Sequence, residues 1–212
     1  MARRTLVVTG GLGVLGACVA RRAAAEDWRV FSLDQQDVDL TDAEATHRVM
    51  GELAAQAGGV DALVNAAGGF VWSPVADADP SVWARMTAVN LTTAVNACRA
   101  ALPYLANSSA GRIVNVGAAG ALDAQTGMAP YAASKAGVHR LTESLAREWK
   151  GRVTVNAVLP SIIDTPQNRA DMPDADFSAW VSPDELATVI LFLASESAGG
   201  VTGALLPVMG RV

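Results

Sequence analysis

An apolar run, Thr5-Leu-Val-Val8, passes directly into Thr9-Gly-Gly-Leu-Gly-Val-Leu-Gly16, and a helical pattern over Val14–Ala25 begins inside that turn. Strand, glycine turn and helix in immediate succession constrain the fold more than any other part of the chain. Glycines at Gly10, Gly13 and Gly16 permit tight backbone geometry. They also let a bound pyrophosphate approach a helix N-terminus, where free N–H groups and the helix dipole favour anions. An ordinary glycine-rich strand-to-helix turn has the same spacing. Its place after the first strand favours phosphate binding, with Leu12, Val14 and Leu15 as the contact positions between the glycines.

The rest of the chain repeats the pattern. Short runs rich in Val, Ile and Leu predict strands at Thr5–Thr9, Arg29–Leu33, Ala62–Asn65, Arg112–Val116, Val153–Leu159 and Ala204–Val208. Helical patterns fit Val14–Ala25, Asp42–Ala57, Pro80–Leu105, Pro130–Lys150 and Pro183–Ser195, three of them opening on proline, whose missing N–H costs little there. The strand runs are apolar throughout, as in parallel strands covered on both faces. With 51% hydrophobic and 17% charged residues, the chain can bury such a sheet. The expectation is an α/β fold: one Rossmann-type domain over residues 1–212, its doubly wound parallel sheet flanked by helices.

A net charge of −5 with scattered arginines argues against a nucleic-acid partner, and no apolar run approaches a membrane span. Met1-Ala-Arg-Arg leads straight into the first strand, Arg3 and Arg4 reading as solvated, and Cys18 and Cys98 fit no metal spacing. The expectation is a cytoplasmic protein with buried thiols, no metal, and a small-molecule substrate.

The second strand ends at Asp34, eighteen residues beyond Gly16. A carboxylate there accepts hydrogen bonds from adenosine ribose hydroxyls and repels a 2′-phosphate, which points to NAD (NADH) over NADP. No Arg or Lys lies in the glycine turn or just after Asp34. Asp39 and Leu40 are positioned to flank the adenine, or else Asp39 serves the helix start near Thr41. Asn65-Ala66-Ala67-Gly68 ends the next strand on the carboxyl edge, where small residues let cofactor and backbone meet; Asn65 equally suits a bond between strands. Asn90 interrupts a long helical pattern, pointing either to a local kink that frees a carbonyl or to one exposed polar residue. Tyr131 and Lys135 share a helix face, so the ammonium can lower the phenol's pKa and make it a proton donor or acceptor near neutral pH.

Gly10–Gly16, Asn65–Gly68, Asn90, Tyr131-x-x-x-Lys135 and Pro160-Ser-Ile-Ile-Asp-Thr165 together resemble the short-chain dehydrogenase/reductase superfamily over essentially the whole chain. The resemblance implies that Tyr131 is the acid/base, that Lys135 holds the nicotinamide ribose and tunes Tyr131, and that Asn90 supports a proton-relay water. It also implies carboxamide contacts from Pro160, Ile162, Ile163 and Thr165, and pairing of the two long helices into a homodimer or homotetramer. The glycine turn is shifted by one residue from the common T-G-x-x-x-G-x-G form, implying a changed phosphate loop.

Thirteen residues before Tyr131, where the superfamily usually has a serine that donates to the substrate carbonyl, stands Ala118. Losing one such donor costs about 10²–10³ in rate. That leaves a substrate needing less help, a substitute donor, or no catalysis. Ala121–Met128, Asp164-Thr-Pro-Gln-Asn-Arg169 and Met172–Trp180 resemble quinonoid dihydropteridine reductase, a subfamily with alanine at this position and an electron-poor quinonoid substrate. The resemblance implies an NADH-dependent reductase of a flat acceptor, with Phe70 against the ring. The competing readings are a general carbonyl or beta-ketoacyl reductase and a silent NAD-sensing protein. His47 and His139 read as helix-surface residues, and Asp171–Asp176 as a lid or a solvated loop.

Overall fold

Six strands lie parallel in the order β2-β1-β3-β4-β5-β6 in the computed structural model, which describes residues 3–212. In chain order the elements are β1 (Thr5–Thr9), α1 (Val14–Ala25), β2 (Arg29–Leu33), α2 (Ala43–Ala57), β3 (Ala62–Asn65), α3 (Pro80–Met86), α4 (Thr93–Leu105), β4 (Gly111–Val116), α5 (Ala129–Glu148), β5 (Val153–Pro160), α6 (Pro166–Asp171), α7 (Pro183–Ala194) and β6 (Leu205–Val208). The expected α/β doubly wound sheet forms as a single domain. Met1 and Ala2, part of the reading of the chain start, lie outside the described residues.

Alternation along the strands builds two cores. Leu6 and Val8 of β1 face one side with Val64, Val114 and Val158, and α1 and α7 close over them through Val19, Leu186 and Ile190. Val7 faces the other side with Leu63, Ile113 and Val155, covered by Met50 of α2, Ala101 and Leu105 of α4, and Leu145 of α5. Each fully buried Leu or Ile in these layers contributes about 1.5–3 kcal/mol from apolar burial. The edge strands depart from the buried pattern: Arg29 and Ser32 of β2 and Leu206 and Pro207 of β6 are exposed, because each strand has a neighbour on one side only. Arg4 departs too, half-buried over the Trp28 ring at 4.4 Å and donating to the Ala110 carbonyl.

Two features of the sequence pattern resolve differently in the structure. The run expected as one helix over Pro80–Leu105 is divided by a π-helical segment at Thr87–Thr92, which holds Asn90. A wide turn of this kind interrupts the i→i−4 ladder, giving the kink rather than the exposed residue. Pro166–Asp171 forms a short helix in a stretch where the sequence pattern assigned no element, started by the Thr165 hydroxyl, which accepts from Asn168 N. Asp42 rather than Asp39 caps α2, accepting from Glu44 N and Ala45 N.

The chain leaves β1 for β2 on one side and returns to β3 on the other, so the strand order reverses beside β1. A crevice opens there at the carboxyl ends of the strands. No helix among the described residues is long and apolar enough to cross a membrane.

Candidate active site

The crevice is a cleft of about 450 Å³. Gly10, Leu12 and Gly13 of the first turn form one wall, Asp34, Asp39 and Leu40 a second, and Ala66, Ala67 and Gly68 the floor. All nine were expected there. Gly16 sits behind the turn, where an added Cβ would lie 2.1 Å from the Gly10 carbonyl oxygen, so only glycine lets α1 seat this close. No side chain caps the α1 N-terminus, and the Val14, Leu15 and Gly16 N–H groups have no partner one turn earlier in the helix. These three offer main-chain N–H groups toward the glycine turn. The Leu15 side chain lies in the core and that of Val14 is exposed.

Asp34 is held in place by main-chain donors. Its Oδ2 accepts from Leu12 N at 3.0 Å and its Oδ1 from Gln35 N at 2.8 Å, which locks the carboxylate between β2 and the glycine turn. Asp39 lines the cleft and also ties its own loop, accepting from the Thr41 N–H and hydroxyl. Buried Asn96 steadies that loop from α4 by donating to the Leu40 and Thr41 carbonyls. Asn65 does not line the cleft. Its amide donates to Asn115 Oδ1 at 2.9 Å and its Oδ1 accepts from the Thr9 hydroxyl, so its side chain couples β1, β3 and β4. Arg85, from the end of α3, lines the same cleft as Asp34 and was not foreseen; fifty-one residues separate the two in the chain.

Beyond Gly68 three polar side chains converge. A Cβ on Gly68 would lie 2.7 Å from Asn90 Oδ1 and 3.3 Å from Lys135 Nζ, so the cleft floor abuts both groups. Asn90 is 1% exposed; it accepts from Gly69 N at 2.9 Å and donates to Gly69 O and to Ser134 Oγ, both at 3.0 Å. Its side chain therefore fixes the Gly68–Gly69 turn, while the π segment loosens the main chain around it. Buried Lys135 donates to the Val116 carbonyl at 2.8 Å, and burial pushes its pKa down to about 8. Burial also pushes the Tyr131 phenol up to about 12, correcting the expectation that the neighbouring ammonium lowers it: desolvation wins. At neutral pH the pair is a protonated phenol beside an amine that is still mostly protonated. That combination can give a proton to a developing alkoxide.

Phe70 packs edge-on against the Tyr131 ring at 5.0 Å and is half exposed, forming an aromatic wall at the mouth. Its loop is tied across the entrance by Trp72 Nε1 donating to Thr126 O and Ser73 N to Gly127 O. Ala118 is buried and extended, and its N–H donates to His139 Nε2 at 3.3 Å. His139, expected on the surface, is 1% exposed. It lies on the helix face of Lys135, one turn on, and that face is buried. His47 is exposed, as expected.

Pro160, Ile162, Ile163 and Thr165 stand apart from the cleft walls. Ile163 bridges to Val181, the Ile162 carbonyl accepts from Val181 N, and Thr165 caps α6. The Thr165 hydroxyl proton stays free to donate. Asp171, Asp174 and Asp176 are exposed on a segment pinned by the Asp164–Arg169 pair and buried Trp180. Cys18 and Cys98 are buried free thiols, and no cluster among the described residues could hold a metal ion.

A cleft of this size, an uncapped helix start over a glycine turn and a fixed carboxylate at the end of β2 together fit an adenine dinucleotide. The family profile described as short chain dehydrogenase matches residues 35–176. An acetoacetyl-CoA reductase of Allochromatium vinosum is 30% identical, aligning over 98% of this chain and 97% of that protein. A 3-oxoacyl-(acyl-carrier-protein) reductase of Vibrio cholerae is 34% identical over 82% of this chain and 75% of that one. Among solved structures, ligand-free aldohexose dehydrogenase of Thermoplasma acidophilum superposes with a TM-score of 0.91 at 26% identity, covering 99% of this chain and 93% of that one. The chain belongs to the short-chain dehydrogenases, oxidoreductases that bind NAD(P)(H).

Proposed function

We propose that this protein is an NADH-dependent carbonyl reductase that converts a ketone activated by a neighbouring carbonyl, as in a beta-ketoacyl thioester, to a secondary alcohol. The observation that carries the reading is that buried Lys135 and Asn90 abut the glycine floor of the nucleotide cleft, with half-buried Tyr131 one helical turn before Lys135 on α5. The acetoacetyl-CoA and 3-oxoacyl reductases among its relatives support the substrate class. Bound NADH supplies the hydride. Gly10, Gly13 and the α1 N-terminus hold its pyrophosphate, Asp34 its adenosine ribose, Asp39, Leu40, Ala66, Ala67 and Gly68 its adenine side, and Pro160–Thr165 its carboxamide. Tyr131 donates the proton to the developing alkoxide oxygen. Lys135 supports the phenolate that results and binds the nicotinamide ribose. Asn90 fixes the turn at Gly68 and Gly69 and frees a carbonyl in the π segment for a relay water. The phenol is protonated at pH 7, and burial pushes it further up to about 12, so in the resting site it is a proton donor, which suits reduction.

A second reading is favoured by Ala118. It has no hydroxyl, and its N–H is already taken by His139, so neither group donates to a substrate oxygen. A flat, electron-poor acceptor such as a quinonoid dihydropteridine takes hydride without a localised oxyanion and needs no such donor. Half-exposed Phe70 against the Tyr131 ring supports this reading by offering an aromatic face for a flat acceptor. Following NADH oxidation at 340 nm with acetoacetyl-CoA, a simple ketone and quinonoid dihydropterin separates the readings. Turnover of acetoacetyl-CoA above both others supports the first, and the pterin alone supports the second. Tight NADH binding without turnover of any would leave a nucleotide-sensing protein.

NADH is expected to bind more tightly than NADPH, with Asp34→Ala narrowing the gap about tenfold by removing the carboxylate that repels a 2′-phosphate. Arg85 then becomes the cation available to that phosphate. Titration of both nucleotides by quenching of protein fluorescence checks this, and equal affinity for the two in the unmodified protein overturns it.

We also propose a homodimer or homotetramer. Of the small residues on α5, Ala132 is buried in its own subunit and Gly137 seats against Leu91, leaving exposed Ala133 and half-buried Ala136 for helix pairing. Exposed Phe192 on α7 and Leu206 on edge strand β6 add apolar surface suited to a second copy. Light scattering at micromolar concentration should give at least twice the chain mass; a monomer mass contradicts the proposal.

A further inference from the structure

Helix α5 grips the carboxyl end of β4 through three residues on one face. Lys135 donates to Val116 O, Thr142 Oγ1 accepts from Asn115 Nδ2 at 2.9 Å, and between them His139 Nε2 accepts from Ala118 N at 3.3 Å. The spacing i, i+4, i+7 puts all three on the buried stripe of the helix. The imidazole lies so close over β4's end that a Cβ on Gly117 would be 2.6 Å from Nε2. A backbone N–H can only donate, so Nε2 must be unprotonated and the ring neutral, its proton on Nδ1.

Protonation of Nε2 would remove the acceptor and set a second positive charge one helical turn from buried Lys135. The charged groups acting on His139 all belong to α5: Arg140 and Lys135 oppose its protonation and Glu143 favours it. Arg112, the one charged residue in β4 and β5, lies at the far end of its strand, and the π segment and the turn after Ala118 carry no titratable group. Burial, then the neighbouring cations, holds His139 below its ordinary value of 6.5.

We propose that His139 is a positioning residue: as a neutral acceptor it holds the Ala118 main chain and the end of β4 against α5, and its protonation releases them and sets the acid limit of the reaction. The inference rests on Tyr131 and Lys135 being the proton-handling pair, because it acts by keeping the strand that bonds Lys135 in register.

Three proteins decide it: the unmodified enzyme, His139→Gln, which keeps an acceptor but does not titrate, and His139→Leu, which has none. kcat, KM and NADH affinity are measured from pH 5 to 8, with the His139 ring followed by nitrogen-15 NMR. The unmodified enzyme should lose kcat along an acid limb below 6.5, in step with a ring that carries its proton on Nδ1 above the limb. His139→Gln should keep kcat near normal at pH 7 and lose the limb. His139→Leu should show kcat lowered about tenfold at every pH, with NADH affinity unchanged. An acid limb retained in His139→Gln, a ring protonated at pH 7, or a His139→Leu profile matching the unmodified enzyme would each overturn the proposal. Should His139→Leu fail to fold, the His139→Gln profile and the NMR titration still decide. Slow Tyr131→Phe alongside normal His139 variants defeats this inference alone; unimpaired Tyr131→Phe defeats the underlying reading.

Discussion

Tyr131→Phe is expected to lower turnover of a ketone substrate by roughly 10²–10⁴ while NADH affinity stays within about twofold. The substitution keeps the ring and so its edge-on contact with Phe70, and removes only the hydroxyl. Thr154 Oγ1 is the single buried side-chain polar atom without a partner among the described residues, so the Tyr131 hydroxyl is not sealed inside the protein and can meet a substrate. Lys135→Ala should differ in kind, losing turnover and weakening NADH together, because in the proposed function the ammonium serves both phenol and ribose. The pH profile follows from the two shifts. Below the Lys135 value of about 8 the ammonium is charged, and the phenol stays protonated up to about 12, so reduction should decline as pH rises past about 8. Stopped-flow absorbance at 340 nm reads rate and affinity in one series. A Tyr131→Phe protein as fast as the unmodified one would reduce the helix pair to a structural role.

Ala118→Ser carries the next largest effect. It adds one hydroxyl where the chain offers a substrate oxygen neither a side-chain donor nor, with His139 holding it, the main-chain N–H. A restored donor in the transition state is worth up to about 10²–10³ in rate on a simple ketone, less if the hydroxyl is misaimed. A quinonoid acceptor should gain almost nothing, since little charge localises on one oxygen. The fold should be unaffected, because Ala118 is extended and its N–H bond to His139 does not involve the side chain. The deciding measurement is kcat/KM for simple ketone and quinonoid substrates in both proteins. An unchanged ratio with intact NADH affinity means that position 118 does not choose the substrate.

The framework was legible in the sequence because its signals are local. Apolar runs and proline starts located every strand and the main helices to within a residue or two, and the glycine turn located the cleft. What escaped depends on contacts distant in the chain. Arg85 reaches the cleft through the packing of α3 against α5 and the π segment, which its local sequence does not show. His139 looked like a surface residue on composition, yet it shares the Lys135 face of α5, and counting one turn on from Lys135 would have found it. The direction of the Tyr131 shift was missed because spacing predicts proximity to the ammonium but not how much water the fold removes from the phenol. Asn65 was legible only as two alternatives, and the partner that decides, Asn115, is fifty residues away.

A chain that transfers a hydride from a nicotinamide to a carbonyl carbon, while its own tyrosine supplies the proton, must leave the hydride's isotope on that carbon. The direct test is to incubate the protein with NADH deuterated at C4 and acetoacetyl-CoA, and to locate the label in the product by mass spectrometry and NMR. The expected result is deuterium on the carbon bearing the new hydroxyl from one C4 epimer and not the other, with Tyr131→Phe forming the same labelled product far more slowly. NADH bound tightly but never consumed by ketone or quinonoid acceptor, or consumed with no label in the product, would contradict this chemistry.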